Sequence, residues 1–198
     1  MSEGPRERRR RLTAAEVERV AIELFAERGF DAVTVDEIAA AANISRRTFF
    51  RYYPSKEDVV VSVGDIQLAL LKEGLASRPR DEPVLTAIRN TFIEMATRFE
   101  MGRDEYIKRW EIVTASPTLA ARAYGAQWEW DETLTEFVGG RLGLNTDHDL
   151  RPRLIGSTIM AALRAAIAAW TLGEPDLVSV LTESFDMVND GLARLAED

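Results

Sequence analysis

Apolar residues recur along this chain at intervals of three and four, and no stretch alternates as a half-buried strand would. The first stripe is Val17, Val20, Ala21, Leu24 and Phe25. Thr13 and Glu16 form a capping box ahead of it, and Gly29 is its C-cap. A second stripe, Val35, Ile38, Ala39 and Ala42, follows the Thr34/Glu37 capping box and breaks at Asn43, a residue that tolerates the left-handed conformation. Ser45 then caps a short helix over Arg46 to Tyr52, which Pro54 forbids from continuing. Ser55, with Asp58 as a weaker capping partner, starts a fourth helix through Val59, Val63, Ile66 and Leu70 to about Glu73.

The pattern stays helical beyond a breaker-rich connector, Gly74 to Pro83. One face carries Leu85, Ile88, Phe92, Met95 and Phe99, and a shorter helix, Asp104 to Ala115, carries Tyr106, Trp110 and Val113. Ser116 and Pro117 open a long helix to about Gly139, with Tyr124 and Trp128 beside its main stripe. Asp149 to Leu172 aligns Ile155, Ile159, Leu163 and Ile167; Gly173 and Pro175 stop it, and Leu177 to Leu195 is the last helix. The expectation is an all-α chain of about nine helices: a flexible basic arm at 1–12, a helix-turn-helix domain at 13–60 and a second helical domain at 61–198.

Helix, tight turn, helix over residues 34–56 is the plan of a helix-turn-helix, whose second helix enters the major groove of DNA. Ile44, Thr48 and Phe49 can turn inward, leaving Arg46, Arg47, Phe50, Arg51 and Tyr52 outside. Three arginines on a turn and a half suit guanine or phosphate. The same helix also reads as a solvated cationic face in a bundle. Lys56, in the first turn of the next helix, can reach phosphate. The run Arg8 to Arg11 is either a phosphate-seeking or minor-groove arm or a solvated tail.

Composition sharpens this. The net charge of −8 is wrong for a nucleic-acid binder until it is divided. Residues 1–60 carry 11 basic and 11 acidic side chains, and residues 61–198 hold 14 and 22, so the acidic excess lies beyond the candidate DNA-binding part. With no cysteine and one histidine, disulfides and thiol redox sensing are excluded and a structural zinc site is disfavoured. The charged N-terminus is unlike a signal peptide, and the longest apolar run, Ile159 to Trp170, falls short of a membrane span. These features point to a cytoplasmic protein. Catalysis is not expected: there is no Gly-x-Ser-x-Gly elbow and no phosphate-binding glycine loop, and His148 between two aspartates reads as a solvated histidine. No cofactor or metal is called for.

The segments AIELFAERGF, TVDEIAAAANIS and RTFFRYYPSKEDVV, with their spacings, resemble the N-terminal domain of the TetR family of bacterial transcriptional regulators. The resemblance implies that Thr34, Ser45, Arg46, Arg47, Thr48, Tyr52 and Lys56 sit at positions that contact phosphates or base edges. Phe50 departs from it, because the family commonly has a Tyr there whose hydroxyl reaches a phosphate. RWEIVTASPTLAARAYG, GRLGL and DLRPRL are further similar to regulators of that family with an acyl-CoA-like ligand domain, including those of mycofactocin gene clusters.

This implies a double-stranded DNA operator, palindromic and bound by a homodimer, and a hydrophobic small-molecule effector such as a fatty acyl thioester. Phe92, Met95, Phe99, Tyr106, Trp110, Tyr124 and Trp128 are the candidate ligand-binding residues, although such stripes also make plain core. Arg89, Arg98, Arg109, Arg122 and Arg164 are candidate cations for the effector's phosphates, with Arg109 beside Trp110 the first choice. Leu177, Leu181, Ser184, Val188 and Gly191, with Ile159 and Leu163 of the preceding helix, form the candidate dimer seam. An effector-independent DNA binder and a helical protein-interaction adaptor are the competing readings.

Overall fold

The computed structural model describes residues 4–99, 101–173 and 176–196. Among the described residues there are nine α-helices and no strand. They are α1 (Pro5–Arg28), α2 (Val35–Ala41), α3 (Arg46–Tyr52), α4 (Lys56–Ser77), α5 (Val84–Thr97), α6 (Arg103–Ala115), α7 (Pro117–Leu142), α8 (Leu150–Thr171) and α9 (Leu177–Ala196). They divide into two units, one made of residues 1–64 and 104–124 and the other of residues 65–103 and 125–198. The sequence predicts a single cut near residue 60 between the two helical domains. The first unit instead recruits most of α6 and the start of α7, because Ile112, Val113 and Leu119 bury in its core.

That core joins Val17, Ala21 and Phe25 of α1 to Ile38 and Ala39 of α2, Phe49 of α3, and Val59 and Val60 of α4. Phe30 and Val33 fill the space beneath the α1–α2 turn, with the Phe25 and Phe30 rings 5.0 Å apart. Each such aromatic stabilises the fold by roughly 1.5–3 kcal/mol through area removed from water. Local chemistry fixes the helix-turn-helix within this frame. Glu37 N–H donates to Thr34 Oγ1 and Thr34 N–H donates to Glu37 Oε2, which completes the capping box at the start of α2. Asn43 takes φ 53°, the left-handed turn that separates α2 from α3. Ser45 Oγ accepts from Thr48 N–H at 3.1 Å and caps α3.

Two boundaries differ from the sequence reading. The arm does not end at residue 12: α1 begins at Pro5, and Thr13 Oγ1 donates to Arg9 O instead of capping a helix start. Proline at the first helical position supplies a preset φ, and the arginines that follow are good helix formers. The side chains of Arg10 and Arg11 lie outside the described residues, whereas Arg8 and Arg9 are exposed on α1. Likewise α4 does not stop at Gly74 but runs on to Ser77. A Cβ at Gly74 would stand 2.6 Å from Thr91 Cγ2, so this glycine serves close packing on α5 and breaks nothing.

In the second unit α9 packs against both α8 and α5. Phe92, Phe185 and Trp130 form an aromatic stack, with Phe92 5.3 Å from Phe185 and 6.2 Å from Trp130. Arg141 donates to the carbonyls of Arg78, Arg80 and Glu82 and so fastens the α4–α5 connection to α7. Gly156 of α8 lets the backbone of α7 come close, since a Cβ there would meet Thr135 N at 3.2 Å. By length and composition α8 would suffice to cross a bilayer, which the interrupted run Ile159 to Trp170 does not suggest. Ile155, Ile159, Met160, Ala162 and Trp170 on this helix are nevertheless buried in the protein's own interior.

The candidate dimer seam is partly internal. Leu181 and Ile159 are buried within the chain, and Ser184 Oγ donates to Ala162 O of α8. Leu163, Leu177 and Val188 are half-buried and Gly191 is exposed. At Ser184 the neighbouring backbone is that of this chain's own α8. Pro175 and the side chain of Leu195 lie outside the described residues.

Candidate nucleic-acid interface and effector residues

The short α2–α3 pair presents one polar, cationic surface. Thr34, Ser45, Arg46, Arg47, Phe50 and Arg51 are exposed, and Thr48 and Tyr52 are half-buried. Phe49, by contrast, is fully buried and anchors α3, with its ring 5.5 Å from that of Phe50. Each helix of the pair spans only seven residues and is marginal alone. The buried Ile38, Ala39 and Phe49 hold the exposed side chains in fixed relation.

The exposed cations differ in their surroundings. Arg46 Nη1 donates to Asp36 Oδ2 at 2.9 Å, and its guanidinium lies 5.5 Å from the centre of the Phe50 ring. Arg51 lies over the Tyr52 ring and donates to its hydroxyl. Arg47 makes no hydrogen bond or ion pair with the described residues. Lys56 is the exception to the predicted phosphate contacts. Its Nζ donates to Phe30 O at 2.8 Å and to Val33 O at 2.9 Å, and it stands 4.3 Å from the centre of the Phe30 ring. Lys56 thus ties the α1–α2 turn to α4, a structural task that the sequence did not reveal.

Glu37 shows how tightly the support is built. The Thr34 backbone amide, then Arg28 and the Thr34 hydroxyl, hold its carboxyl well below the ordinary carboxylate range, at about 2. Burial of Tyr53, reinforced by the negative charge of Glu18, pushes that phenol up to about 12, and its hydroxyl donates to Ala14 O.

The candidate effector residues fall in both units. Tyr106, Arg109, Trp110 and Tyr124 belong to the first, and Phe92, Met95, Phe99 and Trp128 to the second. Trp110, Tyr124 and Trp128 are 46%, 73% and 65% exposed, so they are not core. Phe92 is buried, and Phe99 meets Trp170 edge to face at 6.4 Å. Arg109 is buried: Nη2 binds Glu18, and Nη1 donates to Val59 O and Val60 O. Those donors are committed inside the first unit, which is why the cation beside Trp110 does not stand open to a ligand. Arg89 and Arg122 are also paired, with Asp186 and Asp58, whereas Arg98 and Arg164 are exposed and unpaired among the described residues. An open depression of about 570 Å³ runs along α9 between Val178 and Asp190, and none of the candidate effector residues lines it. Among the described residues no group of His, Asp or Glu is placed to hold a metal ion.

Comparison with known proteins agrees with this geometry. Residues 19–63 match the family model described as bacterial regulatory proteins, tetR family, and residues 82–193 match that of the MftR C-terminal domain. The chain is 34% identical over 189 residues to the protein assigned as mycofactocin biosynthesis transcriptional regulator MftR from Mycobacterium tuberculosis, covering 95% of each. It is 31% identical to the HTH-type transcriptional regulator TcmR of Streptomyces glaucescens, covering 96% of this chain and 86% of that one. Among solved structures, it is similar to Thermus thermophilus FadR, a TetR family transcriptional repressor in complex with lauroyl-CoA. That match has a TM-score of 0.57 and 28% identity and covers 90% of this chain and 94% of that one. SmeT in its triclosan complex shares the fold, with a TM-score of 0.67 at 14% identity over 91% of each chain.

Proposed function

The chain belongs to the TetR family of bacterial transcriptional regulators, and from that premise we propose that it is a ligand-responsive repressor acting as a homodimer in the cytoplasm. Two α3 helices, one from each copy, would enter successive major grooves of a roughly palindromic operator. The observation that carries this reading is the surface of α3. Ser45 caps the helix, Phe49 anchors it, and Arg46, Arg47, Phe50 and Arg51 are left facing outward. Thr34, Ser45, Thr48 and Tyr52 complete the contact set, while Lys56 ties the α1–α2 turn to α4.

The effector is a long hydrophobic molecule, an acyl thioester being the best candidate. An MftR-type C-terminal domain and likeness to a repressor holding lauroyl-CoA support that class. Met95 and Phe99 of the second unit would meet its chain, and unpaired Arg98, next to Phe99, its phosphates. The copies would meet through the outward side of α8, where Leu154, Ala161, Ala165 and Ala168 are exposed, together with Leu163. Effector binding would release the operator by favouring a state with lower DNA affinity.

The test is fluorescence anisotropy of full-length protein on duplexes flanking its gene, at two salt concentrations, with and without lauroyl-CoA. Saturable, salt-sensitive binding that the thioester releases supports the whole reading. Binding that lauroyl-CoA leaves unchanged removes the effector class and favours an effector-independent regulator. Absence of binding to any duplex, random ones included, would favour the adaptor.

A further inference from the structure

The arginines of α3 keep different company, and the difference bears on what each can bind. Arg46 shares its guanidinium with the Asp36 carboxylate of α2, 2.9 Å away, and stands beside the Phe50 ring. Arg47 has no acidic neighbour of this kind. A phosphate arriving at Arg46 would place a second anion against the same cation, next to a carboxylate that repels it. A guanine edge has no net charge and offers the acceptors O6 and N7, so Asp36 opposes it far less than it opposes a phosphate. Asp36 takes one of the five N–H donors of the guanidinium and leaves enough for a two-pronged contact. The same ion pair fixes the direction of the fork, which lowers the side-chain entropy lost on binding.

Phe50 supplies the second half. Its ring is 43% exposed and has no hydroxyl to reach a phosphate. In the major groove the apolar feature open to such a ring is the thymine C5-methyl. The 5.5 Å between ring centre and guanidinium spans between one and two base-pair steps of ~3.4 Å.

We propose that Asp36, Arg46 and Phe50 form one reading head that selects a guanine directly next to a thymine, with Asp36 as the positioning residue that turns Arg46 toward the base. This rests on the reading of the chain as a major-groove DNA binder. Arg47, with no carboxylate beside it, is left for the phosphate backbone.

Selection from random duplexes with the full-length protein tests it, repeated for R46A, R46K, F50A and D36N. The wild type should enrich half-sites containing adjacent guanine and thymine. R46A and R46K should both lose the guanine preference, by roughly 5- to 150-fold, because lysine keeps the charge but not the fork. F50A should lose the thymine preference at the neighbouring position alone. D36N should bind random DNA several-fold more tightly and discriminate guanine less. Enriched sites without that step, or an R46A that weakens every duplex by the same factor, would overturn the proposal and leave the DNA-binding reading intact. A wild type that retains no duplex at any salt would remove the reading and the proposal together.

Discussion

Arg109 of α6 is ion-paired with Glu18 of α1 inside the DNA-binding unit, 91 positions away in the chain. The same guanidinium donates to Val59 O and Val60 O of α4, so one side chain holds three helices. Its Nε is buried without a partner, which makes the site intolerant of any further loss. E18A should cost about 3 kcal/mol in urea unfolding, since it leaves the buried Arg109 guanidinium without its counter-charge, and R109M should cost less, because the Glu18 it strands is part-exposed. The double variant should cost less than the sum. Additive losses would mean that the two side chains do not act as a pair.

The helix-turn-helix should not fold on its own. Ile112, Val113 and Leu119 complete its core, and Arg122 pairs with Asp58 at the start of α4. A fragment of residues 1–64 should show little helix by circular dichroism and no cooperative melt, because it would expose the surface those residues cover. A cooperative transition in that fragment would show the recruited segment to be dispensable.

Lys56 and Arg47 should separate stability from DNA binding. K56M removes the donor of Val33 O and one of the two donors of Phe30 O, and should lower unfolding stability by about 1–3 kcal/mol. R47A should leave stability within about 0.5 kcal/mol, because its side chain is exposed and makes no hydrogen bond or ion pair with the described residues. It should instead reduce the slope of log affinity against log salt by about one. A slope that R47A does not change would remove Arg47 from the phosphate contacts.

Acid should weaken the start of α2. The Glu37 carboxyl is held at about 2 against its ordinary 4.5, so its charged form is favoured by folding. The stability it contributes is complete above pH 4.5 and is lost as pH falls toward 2. E37Q should be less stable than wild type at neutral pH, and the difference should shrink across that window. Thermal melts at several pH values would read this directly, and a pH-independent gap would mean that the charge has no part in the cap.

Two glycines should respond oppositely to alanine. Gly64 of α4 has open space where a Cβ would stand, so G64A should stabilise by up to about 1 kcal/mol through helix propensity. At Gly156 the new carbon would meet Thr135 Oγ1 at 3.1 Å and Thr135 N at 3.2 Å, and a helix backbone does not yield. G156A should destabilise by about 1–3 kcal/mol. If both variants melted above wild type, the close approach of α7 and α8 would be refuted.

Local chemistry in the sequence determined the all-helical class, the α2–turn–α3 unit, and the arginine surface that points to DNA. Thr34 with Glu37, Asn43 and Ser45 act over three or four residues, within the reach of periodicity and capping rules. Pro5 is also local, and it begins α1 nine residues before the Thr13 capping box would. Tertiary structure decided what depends on distant partners. Lys56 looks like a phosphate contact until Phe30 O and Val33 O claim it. Arg109 looks like a ligand cation until Glu18 does. Within the α9 seam, Leu181 is buried and Ser184 bonds α8 of the same chain, while Leu177, Val188 and Gly191 keep exposed surface, a division that spacing alone does not make. Asp36 carried no signal toward Arg46, because ten residues and a turn separate them. Helical spacing fixes which side chains share a face, but only packing decides what that face meets. A charged group's role is settled by whichever counter-charge or carbonyl the fold brings within about 3 Å.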